Sequence, residues 1–98
     1  MIVTDEDLLI LKWFLKLSNG ETELWEIMKK IYPKGRTTEY MRVKQKLKKF
    51  KDYGLMIQDE EGYKLISDNV ILKKIQFNGK PTDSICIFTN GSWCAFEL

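Results

Sequence analysis

The sequence predicts an α+β fold in one domain of 98 residues, with helices first and short strands after them. Up to Tyr53 the apolar residues recur every three or four positions, which is the period of a helix. Beyond Gly54 they form short runs between turn residues, which is typical of strands. A chain of this length is too short to bury two separate cores, so we expect a single domain over 1–98.

The first helix is predicted from Thr4 to the pair Asn19-Gly20. Thr4 followed by Asp7 resembles a capping box in which Asp replaces Glu, and Asn-Gly is a typical helix stop. Between Leu8 and Leu17 only two residues are polar, so the helix is apolar around most of its circumference. Because so small a chain can cover only part of such a helix, we expect it to be shared with a second copy.

Two further helices are predicted on either side of the turn at residues 33–35, Pro-Lys-Gly. The second runs from about Thr22 to Tyr32 and ends before the proline. The third begins near Thr37 or Thr38, either of which can cap it, and is terminated by Gly54. The apolar face of this third helix consists of Tyr40, Val43, Leu47 and Phe50.

Short strands are predicted after Gly54. Residues 55–58 and 63–66 flank an acidic turn and form one hairpin. Residues 70–77 are ambiguous between helix and strand, and their β-branched side chains favour a strand. Residues 85–89 and 92–96 flank Asn90-Gly91, the strongest short signal for a hairpin. Pairing across this turn places Ile85, Ile87, Cys94 and Phe96 on one face and Cys86, Phe88, Trp93 and Ala95 on the other.

Both faces of this last hairpin are apolar and need cover. One face can pack on the domain, and the other can meet a second copy or be covered by strand 70–77 or by the first helix. We therefore predict a homodimer, with an interface formed by Leu9, Trp13, Ile87 and Phe96. The sulfurs of Cys86 and Cys94 lie on opposite faces in this register, so we expect buried free thiols rather than a disulfide.

The composition argues against catalysis and against membranes. Histidine is absent, the two cysteines are not arranged as CxxC, and there is no glycine-rich phosphate loop. We therefore expect no enzyme, no metal, no cofactor and no small-molecule substrate. No apolar run approaches the length of a membrane span, and the first seven residues are acidic, the reverse of a signal peptide. The expected location is the cytoplasm.

The charges are strongly segregated although the net charge is only +2. Residues 29–51 carry ten basic side chains against one acidic side chain, whereas the segments before and after are both net acidic. A single basic segment between acidic flanks predicts a surface that faces a polyanion. The alternative is a lysine-rich helix that is only solvated.

The stretch from Val43 to Leu55, leading into Tyr63-Lys64-Leu65, resembles the winged helix-turn-helix family. It combines a basic helix that ends in Gly-Leu with a strand, an acidic turn and Tyr-x-Leu, and it is similar to small archaeal and viral transcriptional regulators. The resemblance covers residues 5–66 and implies three helices plus a β-hairpin wing. Residues 67–98 would then form an appended C-terminal β-hairpin or small antiparallel sheet. The implied function is binding of double-stranded DNA as a homodimeric regulator of transcription.

The predicted DNA-binding residues lie on the exposed face of the third helix and just before it. Arg42 and Gln45 can make bidentate contacts to guanine and adenine edges in the major groove. The other residues of this set contact phosphates or line the same face; they are Arg36, Thr37, Thr38, Met41, Lys46, Lys48 and Lys49. The wing tip Asp59-Glu60-Glu61 is acidic, unlike the usual wing, so Lys64 on the returning strand is the only wing contact expected.

Two other functions fit parts of the pattern. The acidic wing also suits a winged helix that binds an acidic protein partner through its basic helix without reading DNA. Binding of RNA is a smaller alternative, because exposed aromatic residues on which bases could stack are not evident in the sequence.

Overall fold

The computed structural model describes residues 2–17, 21–60 and 62–98. Over these ranges the chain forms three helices and six strands. In chain order they are α1 (Asp5–Lys16), β1 (Glu21–Thr22), α2 (Leu24–Ile31), α3 (Thr37–Asp52), β2 (Met56–Asp59), β3 (Gly62–Leu65), β4 (Val70–Phe77), β5 (Lys80–Thr89) and β6 (Ser92–Glu97). The strands form two separate antiparallel sheets, so the predicted α+β class is confirmed.

The capping box predicted for α1 is present. The Thr4 hydroxyl accepts a hydrogen bond from the Asp7 N–H at 3.2 Å, and the Asp7 carboxylate accepts one from the Thr4 N–H at 2.9 Å. The two bonds satisfy backbone donors that a helix start otherwise leaves unpaired. The helix ends at Lys16, and the stop predicted at Asn19-Gly20 lies outside the described residues.

The start of α3 differs from the prediction. Neither threonine caps the helix; Arg36 occupies the cap position, and its backbone N–H donates to the Glu39 carboxylate at 3.0 Å. That hydrogen bond lowers the pKa of Glu39. At the other end the prediction is confirmed, because Gly54 has a φ of +74° and the Leu55 N–H donates back to the Phe50 carbonyl at 2.9 Å.

The first sheet has the strand order β1-β3-β2. The hairpin of β2 and β3 is the one predicted, with Met56 opposite Leu65 and Gln58 opposite Tyr63. The two-residue strand β1 was not predicted; its Glu21 pairs with Lys64. This sheet therefore joins the segment between α1 and α2 to the hairpin that follows α3.

The second sheet has the order β4-β5-β6, and residues 70–77 form a strand, as predicted. The register across Asn90-Gly91 is also confirmed, with Phe88 opposite Trp93 and Ile85 opposite Phe96. A second Asn-Gly turn, at Asn78-Gly79, joins β4 to β5. Both residues of each turn have positive φ values, between 51° and 80°, which is the geometry of a tight hairpin turn.

One core connects the helices to both sheets. Phe14 of α1 and Phe50 of α3 are its largest fully buried side chains, and Val70, Ile85 and Ile87 of the second sheet belong to the same cluster. The inner face of the second sheet therefore contributes to the same core as the helices. None of the helices in the described ranges is long and apolar enough to cross a membrane.

Candidate nucleic-acid interface

The turn between α2 and α3 fixes where the basic helix begins. Gly35 is buried, and its N–H donates to the Tyr32 carbonyl at 2.8 Å. A Cβ atom at this position would lie 2.8 Å from the Met28 sulfur and 2.9 Å from the Tyr32 Cβ. Only glycine lets the turn approach α2 this closely, so the two helices are held at short range. The apolar face predicted for α3 is buried, with Val43, Leu47 and Phe50 fully covered and Tyr40 partly covered.

Two lysines of α3 bind a buried carboxylate. The Lys49 ammonium lies 2.7 Å from Asp7 Oδ2, and the Lys46 ammonium lies 3.1 Å from Asp7 Oδ1. The Asp7 side chain has no exposed surface. Burial alone would raise the pKa of Asp7, but hydrogen bonds from Lys49, the Thr4 N–H and Lys46 outweigh it, and the pKa is lowered. Lys46 and Lys49, predicted to contact phosphates, therefore connect α3 to the start of α1.

The third base on this side of α3 is Arg42. Its Nε lies 3.3 Å from Glu6 Oε1, and the Glu6 carboxylate also accepts a hydrogen bond from the Tyr32 hydroxyl. That hydrogen bond raises the pKa of Tyr32. The Arg42 side chain is 63% exposed, so its ion pair is a weak surface contact, worth less than about 1 kcal/mol. Arg42 remains able to turn towards another anion.

The side of α3 next to these ion pairs is exposed and keeps its basic charge. Thr38, Met41, Gln45 and Lys48 are exposed, as predicted, and so are Arg36 and Thr37 before them. Lys44 lies beside them, and the sequence pattern missed it because it falls next to the apolar face. Within the described part of the chain, neither Lys44 nor Lys48 forms an ion pair. This face therefore offers a polar strip with uncompensated positive charge.

A groove of about 330 Å³ runs between this side of α3 and the β2–β3 hairpin. Met41, Gln45 and Lys48 line its helical wall, and Gln58 and Tyr63 line its strand wall. The Tyr63 hydroxyl is uncharged at neutral pH, and burial raises its pKa further above the ordinary value of 10.0.

Lys64, the predicted wing contact, does not line the groove. It pairs with the exposed Ile57. Successive side chains on a strand point to opposite faces, so Lys64 points away from the face that carries Tyr63. The structure places Thr38, Met41, Gln45 and Lys48 on the exposed surface of α3. Lys46 and Lys49 pair with Asp7 instead, and Lys64 lies apart from both groups. Asp59 and Glu60 at the wing tip are exposed, as expected for an acidic wing.

The four predicted interface residues do not form one surface. Ile87 is 2% exposed and lies in the core, and Phe96 packs against that core from the same face of the sheet. The face that carries these two residues therefore contributes to the chain's own core, which argues against their use in an interface. Trp13 is also partly buried against the core, with the ammonium of Lys30 5.4 Å from its ring centre. Leu9 keeps 37% of its surface exposed.

The expectation that α1 needs a second copy also loses its basis. Ile10, Leu11 and Phe14 have no exposed surface within the single chain. Both cysteines are free, as predicted, but only Cys86 is buried, while Cys94 is exposed.

Comparison of the chain with family models, with curated proteins and with solved structures found no match. The site must therefore be interpreted from its own chemistry. In the ranges 2–17, 21–60 and 62–98 no group of three or more His, Cys, Asp or Glu side chains is placed to hold a metal ion. The chemistry that the described surface offers is recognition of negative charge by lysine and arginine, together with hydrogen bonding by Gln45 and Thr38.

Proposed function

We propose that the protein binds double-stranded DNA through α3, as a winged helix domain does, and regulates transcription. The main support is the order α1-β1-α2-α3-β2-β3 with the sheet order β1-β3-β2, which is compatible with a winged helix. Within that arrangement, the exposed face of α3 is basic and is not covered by the rest of the described chain. A helix of this kind fits the width of a major groove.

The contacts proposed for DNA differ from those expected from the sequence. Gln45, with Met41 and Thr38 beside it, is the residue proposed to read base edges. Lys44 and Lys48 are proposed to bind phosphates, because neither forms an ion pair within the described ranges, and Arg36 is proposed to join them at the start of α3. Arg42 joins the contact by exchanging its weak pair with Glu6 for a phosphate or a guanine. Lys46 and Lys49 hold α3 in place instead.

Association into a homodimer remains part of the proposal, through a different surface. The outer face of the second sheet carries Ile71, Cys86 and Ala95 side by side, with Phe88 and Trp93 next to them. Trp93 is 50% exposed, and its ring centre lies 5.2 Å from that of Phe88. An apolar face of this kind suits a two-fold contact between identical sheets.

The experiment is a titration of random-sequence duplex DNA at several salt concentrations. With three or four phosphates bound per protomer, log affinity should fall with log salt at a slope of about −3 to −4 per protomer. Lys44→Ala and Lys48→Ala should each make the slope about one unit shallower. Lys74→Ala on β4, which removes the same charge from the face of the second sheet that does not carry Trp93, should leave the slope unchanged.

A slope near zero, or no binding at low salt, would contradict the proposal. The acidic tip of the wing, with Asp59 and Glu60 exposed, would then favour a winged helix that binds another protein.

A further inference from the structure

An open cavity lies between α2 and the start of α3, beside the face proposed for DNA. Its volume is about 890 Å³, which is within the usual range of small-ligand sites. Around Gly35, it is lined by Trp25, Lys29, Lys34, Arg36, Thr37 and Tyr40. Three of these side chains are cationic, two are aromatic and none is a carboxylate.

The aromatic wall is accessible. Trp25 is 50% exposed although it belongs to α2, and its ring centre lies 6.1 Å from that of Tyr40. The Lys29 ammonium is 4.8 Å from the centre of the Trp25 ring, so positive charge lies directly beside a flat apolar surface. An exposed tryptophan in a cationic cavity provides the stacking surface that the sequence pattern did not reveal.

The cationic wall is held by the tight turn at Gly35. Lys34 and Arg36 are its immediate neighbours, and the Gly35 N–H donates to the Tyr32 carbonyl at 2.8 Å, which ties the turn to the end of α2. Neither Lys34 nor Arg36 forms an ion pair with a carboxylate in the described ranges. Two positive side chains on a fixed turn, facing a tryptophan, match a ligand that is anionic at one end and planar at the other.

We propose that this cavity binds a nucleotide, with the base stacked on Trp25 and the phosphate held between Lys34 and Arg36. Nucleotides combine an aromatic ring with concentrated negative charge, and both walls are needed to recognise them. The source is either a free nucleotide or an unstacked nucleotide of a single strand. The inference goes beyond duplex binding, because Gln45, Lys44 and Lys48 do not line this cavity; Arg36 is the one proposed DNA contact that the two sites share.

The test compares four probes on the intact chain at low salt, by calorimetric titration: ADP, inorganic pyrophosphate, a short deoxythymidine single strand with a 5′ phosphate, and a blunt duplex. ADP should bind saturably and more tightly than pyrophosphate. Trp25→Ala should weaken the binding of ADP about tenfold and leave the affinity for pyrophosphate unchanged. Trp25→Phe should keep most of the affinity for ADP. Lys34→Ala should weaken the binding of both ligands. Tyr53→Ala, at an exposed position beyond the far end of α3 that does not line the cavity, should weaken the binding of neither.

The relative affinities identify the source. Tighter binding of ADP than of the strand supports a free nucleotide, and the reverse supports a single strand. Pyrophosphate binding as tightly as ADP would overturn the inference, because the cavity would then be only a charged surface. Absence of saturable binding of both ADP and the strand up to millimolar concentration would also overturn it. If duplex DNA still bound in either case, the proposed function would stand and only the nucleotide site would be lost.

Discussion

Replacing Asp7 with asparagine should destabilise the protein and strengthen its binding to DNA at the same time. The substitution keeps an oxygen that can accept the hydrogen bond from the Thr4 N–H, so the start of α1 stays capped. It removes the only negative charge facing the ammonium groups of Lys46 and Lys49 within the described structure, at 3.1 and 2.7 Å. The perturbation is therefore confined to the buried ion pairs.

The size of the effect follows from burial. Removing one partner of a fully buried pair costs about 3–5 kcal/mol, because the remaining charge is left without compensation. Here Asp7 is fully buried, but the side chains of Lys46 and Lys49 are 23% and 28% exposed. Both ammonium groups can move towards water, so we expect a smaller loss, about 2–3 kcal/mol in the free energy of unfolding.

The pH dependence gives a second measure of the same contact. Because the folded protein lowers the pKa of Asp7 below its ordinary value of 3.8, the stability that this carboxylate contributes is present above that value. It is lost as pH falls through the lowered pKa. The difference between the parent chain and Asp7→Asn should thus be constant near neutral pH and shrink below about pH 4.

The assays are urea unfolding across this pH range and the salt titration of duplex DNA. If the proposed function is right, two freed ammonium groups should steepen the salt slope by about two units. Asp5→Asn is the matched control, since Asp5 is exposed in the same first turn of α1. A loss of stability for Asp7→Asn no larger than that for Asp5→Asn would refute the reasoning on the buried ion pairs.

Three further predictions test other parts of the structure. Gly35→Ala should lower the free energy of unfolding by about 1–3 kcal/mol, measured by urea unfolding, because its Cβ would overlap Met28 and Tyr32. Trp93→Glu should abolish dimers measured by sedimentation, while Leu9→Glu should not. The opposite result would show that the dimer interface is formed by α1. Gln45→Ala should reduce the free-energy preference for one base, at one position of a selected site, by about 1–3 kcal/mol. An unchanged preference would show that α3 reads the groove with another face.

Local signals in the sequence predicted much of the fold. The Thr4–Asp7 spacing located the start of α1, and Asn90-Gly91 determined the complete register of β5 with β6. Both features depend on residues within a few positions of each other. The same Asn-Gly signal occurs at Asn78-Gly79, where it joins β4 to β5, and the hairpin at this turn was not predicted.

The features that were missed depend on contacts distant in sequence. The strand β1 is defined by the backbone pairing of Glu21 with Lys64. A segment of two residues is too short to show the alternation by which a strand is predicted from sequence. Likewise, helical periodicity showed that Lys46 and Lys49 leave the apolar face of α3 but not that Asp7 of α1 would lie against them. The inward face of the terminal hairpin was misassigned for the same reason, since both faces are apolar and only tertiary packing distinguishes them.

The two short turns of the second sheet bear on the order in which the chain folds. Strands β4, β5 and β6 pair only with their neighbours in sequence, and each turn closes a very small loop, so this meander loses little chain entropy when it forms. The first sheet instead requires Glu21 to reach Lys64, 43 positions away. Because non-local pairing is slow, amides of β5 should become protected from hydrogen exchange before those of β3. The sheet formed by the C-terminal third of the chain would then present its apolar inner face before the helices pack.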